Sequence, residues 1–141
     1  MTPSDFKNMA KIYIGIDAGT KTGLAIWDKT SQQFIELLTV PIHTAMEWIK
    51  AYNGEGLTVV VEDARQVRFN TSPEKAQGAG YVKAHAQIWE AFLEDKGISY
   101  EMRRPNKAMT KWDADRFKRQ TGWQGRTTTH SRDAALLVFG L

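Results

Sequence analysis

At 141 residues, with 42% hydrophobic and 25% charged side chains, the chain is expected to form one globular domain, residues 1–141, that encloses a core without covalent staples. The absence of cysteine excludes disulfides, thiolate metal sites and cysteine nucleophiles, so any metal must be held by oxygen and imidazole. No apolar run approaches the roughly 18 residues that a membrane span needs, and residues 1–10 lack the hydrophobic centre of a secretory signal, so a cytoplasmic location with no membrane partner is expected.

Lys11 through Asp17 reads as a first strand, because Ile12, Ile14 and Ile16 alternate with Tyr13 and Gly15 and the turn signal Ala18-Gly19-Thr20 follows. It delivers Asp17 to a strand end, where a carboxylate needs a cation or hydrogen-bond donors to offset its desolvation. Thr20 through Gly23 predicts a tight turn, Leu24 through Trp27 a second strand ending at Asp28, and Phe34 through Val40 a third closed by Pro41. His43 through Tyr52 has the spacing of a short helix stopped at Asn53-Gly54. The continuous apolar run Leu57 through Val61 is that of a strand covered on both faces, and it ends in Glu62-Asp63.

Residues 64–70, with Arg65, Arg68 and Phe69, read as an exposed loop. A capping box of Thr71 with Glu74 opens a long helix whose stripe is Ala79, Val82, Ala86, Trp89 and Leu93 and whose end is Lys96-Gly97. Gly78 and Gly80 in it allow close approach to the sheet or to a partner chain. Ile98 through Met102 predicts a fifth strand, Asp113 through Gln120 a helix stopped at Thr121-Gly122, and Gly125 through Thr128 a loop. A last helix, capped by Thr129 and running to Gly140, buries Ala134, Leu137 and Val138. His130 and Asp133, three apart, share one of its faces.

Charge is unevenly spread. Between Arg103 and Asp133 stand Arg103, Arg104, Lys107, Lys111, Arg116, Lys118, Arg119, Arg126 and Arg132, nine of the 19 basic residues, against Asp113, Asp115 and Asp133. Such an excess suits a phosphate backbone, with Trp112, Phe117 and Trp123 interleaved where bases or sugars stack; the plainer reading is a solvated basic helix with its aromatics in the core.

The order β-β-β-α-β-α-β-α, with acids ending strands one and four and on a late helix, is the layout of the α/β ribonuclease H-like fold: an antiparallel meander of three strands, two further strands, and helices on both faces. The chain resembles the RuvC family of Holliday junction resolvases, the small phage-type members in particular. The resemblance is carried by Ile14-Gly15-Ile16-Asp17 with Gly23, Val60-Val61-Glu62, Gln77-Gly78-Ala79-Gly80, and His130-Ser131-Arg132-Asp133-Ala134-Ala135. It implies a nuclease hydrolysing phosphodiester bonds in branched DNA with two Mg²⁺ ions, or Mn²⁺, held by Asp17, Glu62, His130 and Asp133. Two such ions roughly 3.5 to 4 Å apart would activate water, stabilise the leaving oxygen and neutralise the phosphoryl group. By the same resemblance Asp17 bridges the ions, Glu62 serves one and Asp133 the other, and His130 either binds the second or orients its water. Asp63 competes with Glu62, and strand alternation lets one of the two face the site.

The resemblance also implies a lysine near the scissile phosphate. Lys107 is taken for that role, with Lys111 and Lys118 competing. Arg65, Arg68, Phe69, Lys107, Lys111, Lys118 and Arg126 are the expected nucleic-acid contacts, and His43 and His85 are read as structural or surface residues. Paired cuts across a four-way junction require a two-fold dimer, for which the glycine-bearing helix, with Trp89 or Phe92 as anchor, is the expected interface. Three other readings remain: a broader branched-DNA or ribonuclease H-type nuclease, a non-catalytic nucleic-acid-binding module, and an actin-like nucleotide-binding domain, whose phosphate loop Gly15 through Thr20 also resembles.

Overall fold

Strand β1 (Ile12–Asp17) lies at the centre of a five-stranded sheet of order β3-β2-β1-β4-β5. The computed structural model describes residues 11–54, 56–63, 73–104 and 112–141, with side chains of the long helix described from Lys83 onward. β2 (Lys21–Asp28) pairs antiparallel with β1 and with β3 (Gln33–Pro41), while β4 (Leu57–Glu62) runs parallel to β1 and to β5 (Ser99–Arg103). Parallel neighbours need crossovers, and helix α1 (Ile42–Tyr52) and helix α2 (Pro73–Asp95) occupy the connections before and after β4. Helices α3 (Ala114–Thr121) and α4 (Thr129–Leu136) follow β5. No described helix is long and apolar enough to cross a membrane.

Alternation along the central strands sorts side chains onto two faces. Ile14, Ile16, Val59 and Val61 point to one face, where Ala45 and Ile49 of α1 and Trp89 and Leu93 of α2 close over them. Ala25, Trp27 and Val60 point to the other, against Phe117 of α3 and Ala134 and Ala135 of α4, with Val138 just beyond. All of these are buried.

The fold departs from the sequence reading at several element ends. β2 starts at Lys21, which puts Gly23 inside a strand opposite Asp17 instead of in the turn. The turn shrinks because buried Thr22 donates its hydroxyl to the Gly19 carbonyl at 2.9 Å and so continues the ladder. β3 and β4 each extend to take in Pro41 and Glu62, α1 starts one residue earlier at Ile42, and β5 is shifted by one to Ser99–Arg103. Asp113 caps α3 from outside the helix, accepting from the Arg116 N–H at 2.8 Å, and Gly122 ends it at φ +76°, a left-handed conformation that glycine adopts without penalty. Thr128, not Thr129, caps α4: its Oγ1 accepts from the Ser131 N–H at 3.1 Å while Ser131 Oγ accepts from the Thr128 N–H at 2.8 Å. Helical pairing ends at Leu136, and Leu137 and Val138 are buried from the turns that follow.

Two expectations about aromatic residues need correction. Phe117 is fully buried and so is no stacking surface, while Trp112 and Trp123 pack partly buried against the same core. Trp89 is likewise fully buried within this chain's own core, with Phe92 edge-on to it at 5.8 Å, which removes Trp89 as an interface anchor. The helix stripe turned it inward because the sheet offers far more apolar surface than water does. The loop 64–70 and the Thr71 cap lie outside the described residues.

Candidate active site

β1 carries Asp17 to the end of the central strand, and the register builds a row around it. Asp17 pairs with Gly23 of β2, and Gly23 with Thr39 of β3. On the other side, extending the Ile16–Val61 pair by one residue sets Glu62 beside Asp17, and Glu62 pairs with Arg103 of β5. Paired residues share a face, so Thr39, Gly23, Asp17, Glu62 and Arg103 form one row on the side that α4 covers. Asp63, one residue further, is buried at 5% exposure, and its N–H donates to the Arg103 carbonyl at 2.7 Å. Alternation thus favours Glu62 as the neighbour of Asp17.

Glycine lets α4 reach this row. A Cβ on Gly23 would stand 2.1 Å from the His130 carbonyl oxygen, and one on Gly15 would stand 2.1 Å from that of Ala134. The helix backbone therefore rests directly on β1 and β2 where those strands have no side chain. At its start, the Thr128 cap meets the Thr39 hydroxyl of β3. Further along, Arg103 donates through Nη1 to the Leu137 carbonyl at 2.5 Å and through Nη2 to Glu101 Oε2 at 3.3 Å. Arg103 and Arg132, counted above among cations suited to a phosphate backbone, are thus used within the fold; Arg132 donates to the Trp112 carbonyl at 3.0 Å and to Thr127 Oγ1 at 2.8 Å.

This seating brings His130 onto Asp17. Nδ1 lies 2.9 Å from Oδ2, with the histidine side chain 53% exposed and the aspartate 19% exposed. The pair is a mostly covered carboxylate with a solvent-facing imidazole on it. Asp133 lies in the same helix, three residues beyond His130, and is half-buried. Among the described residues no three His, Asp or Glu side chains close around one point as a ready-made metal cage. Donor chemistry nonetheless suits a hard divalent ion, since magnesium is commonly bound through one or two carboxylates and keeps several waters. Asp17 and Glu62, neighbours in one row, supply two carboxylates, and the imidazole adds a nitrogen donor.

The same face holds Tyr13, whose phenol is pushed above its ordinary range by burial and, after that, by the negative charge of Glu101. Lys118 and Arg126 are exposed on the α3 side. Arg65, Arg68, Phe69, Lys107 and Lys111 lie outside the described residues. His43 is exposed on α1 and His85 half-buried on α2, both on helices that cover the opposite face of the sheet. Sequence reasoning missed Arg103, Thr39 and the seating role of Gly15 and Gly23. The glycines were visible as part of a motif, but nothing local says that a helix more than a hundred residues away needs their missing side chains.

No family model matches the chain, and no curated protein matches it in sequence. Solved structures do. The chain is similar to T. thermophilus RuvC in complex with Holliday junction substrate, at TM-score 0.62 and 16% identity over 91% of this chain and 90% of that one. It is also similar to Thermus thermophilus RuvC in a second structure, at TM-score 0.61 and 16% identity over 91% of each chain. Identity this low shows the fold: a mixed five-stranded α/β sheet of the ribonuclease H-like kind, shared with RuvC over nearly its whole length.

Proposed function

We propose that the protein is a metal-dependent endonuclease that hydrolyses phosphodiester bonds in branched DNA, a Holliday junction resolvase first among them, acting as a homodimer. The observation that carries this reading is the seating of His130 on Asp17 at the end of the central strand, with Glu62 next in the row, in a fold shared with RuvC. Two adjacent carboxylates repel each other and also repel DNA, so a cation between them and the phosphate is the arrangement that makes the row useful.

Asp17, Glu62 and Asp133 would hold divalent metal, with His130 as a further ligand or as the group that orients water. Such ions would supply the activated water and the charge neutralisation that phosphodiester hydrolysis requires. The His130 ring, 2.9 Å from Oδ2, fixes the direction of the Asp17 carboxylate. A cation from the segment after β5, with Lys107 first in line, would neutralise the scissile phosphate.

The deciding experiment incubates the protein with a four-way junction, a flap and an RNA/DNA hybrid, with Mg²⁺ or with chelator. Cutting of the junction that needs metal, and that Asp17→Asn lowers by at least roughly 10³-fold while DNA binding persists, is the expected result. Binding without any metal-dependent cutting would make the protein a non-catalytic module. A strict monomer that still nicks branched DNA would move the reading to a broader nuclease.

A further inference from the structure

A cleft of about 340 Å³ opens between α3 and the segment that leads into α4, walled by Lys118, Trp123, Gly125, Arg126 and Thr127. Asp115 is the single acid on its lining, so the cleft is net positive. Neither Lys118 nor Arg126 makes an ion pair with a described residue, in contrast to Arg103 and Arg132, whose guanidinium groups are bound within the fold. Trp123 forms an apolar wall, held against Gly125 so closely that a Cβ there would come within 2.9 Å of the indole, and its buried Nε1 has no acceptor among the described residues. The cleft is also rigidly joined to the candidate site. Thr127 adjoins the cap Thr128, and Arg132 of α4 donates to Thr127 Oγ1 at 2.8 Å, so the cleft wall and His130 belong to one braced piece.

From this geometry we infer that the cleft holds a single nucleotide of the DNA strand beside the cut, with Lys118 and Arg126 on its phosphate and its sugar against Trp123. The volume lies at the lower end of small-ligand pockets, enough for one nucleotide and far too small for a duplex. Two cations and an apolar aromatic wall are the elements that grip a nucleic-acid strand without reading its sequence. This rests on the nuclease reading for its substrate, and the cleft fixes where that substrate's strand runs.

The test measures binding of a four-way junction in the Asp17→Asn background, with Ca²⁺, as a function of salt. Adding Lys118→Gln and Arg126→Gln together is expected to weaken binding roughly tenfold and to reduce the slope of log K against log salt by about one, the signature of one lost phosphate contact. Lys50→Gln, a control on α1 across the sheet, is expected to leave the slope as it was. An unchanged slope in the double variant, or an equal drop in the Lys50→Gln control, overturns the inference. Thermal melts verify folding, and if the double variant melts early the two single substitutions are read by the same criterion. Failure of the nuclease reading looks different: the unsubstituted protein then binds the junction with this salt dependence yet never cuts it with Mg²⁺.

Discussion

The two faces of the sheet are built on opposite principles. Against α1 and α2 the contact is made by volume, with Ile14, Ile16, Val59, Val61, Trp89 and Leu93 filling the space between layers. Against α4 it is made by the absence of volume, since Gly15 and Gly23 let a helix backbone touch the strands. The first arrangement stabilises and tolerates exchange among side chains of similar size. The second holds two backbones at one fixed separation, which is what an imidazole needs to stay 2.9 Å from a carboxylate on another element.

Substitutions can break this comparison. Trp89→Ala should be the most damaging to folding, costing about 3 to 5 kcal/mol by urea denaturation, because it empties the centre of the volume-built face. Whatever activity is left per folded molecule should be near normal, and a selective loss of activity would show that the faces are not separable. Gly23→Ala should cost less stability, about 1 to 3 kcal/mol, yet strongly reduce the proposed junction cutting, because the new methyl displaces the His130 backbone. Cutting at the normal rate in Gly23→Ala would refute the claim that close approach sets the site.

Smaller effects sharpen the contrast. Thr39→Val removes the hydroxyl that meets the Thr128 cap and should cost about 1 kcal/mol, with a rise in amide exchange confined to the first turn of α4. Tyr13→Phe should change how stability depends on pH in alkali. Its phenol is raised in the folded state, so the unfolded chain gives up that proton first; the stability tied to it is whole below about pH 10 and is lost as pH rises through the folded value. A denaturation series from pH 8 upward should therefore fall less steeply in Tyr13→Phe than in the unsubstituted protein.

The basic stretch from Arg103 to Asp133 shows where reading by composition stops. Its nine cations look alike in sequence, but Arg103 and Arg132 brace α4 by hydrogen-bonding to carbonyls, while Lys118 and Arg126 stay on the surface. A guanidinium that reaches a carbonyl in the fold and one that reaches a phosphate are the same residue type, and only their neighbours differ. Phe117 made the same point by turning inward, since a helix with one large apolar residue among charges buries it whichever partner the charges serve.

By itself the sequence determined the strands and their order, because alternation of β-branched residues and continuous apolar runs are local patterns whose period fixes the backbone. It also determined that Asp17 and Glu62 end strands, and that His130 and Asp133 share a helix. The tertiary structure alone decided that Gly15 and Gly23 are a seat for α4 and that His130 touches Asp17 across more than a hundred residues. Those facts depend on how closely two distant backbones approach, a distance set by packing of the whole sheet and encoded in no single stretch of the chain.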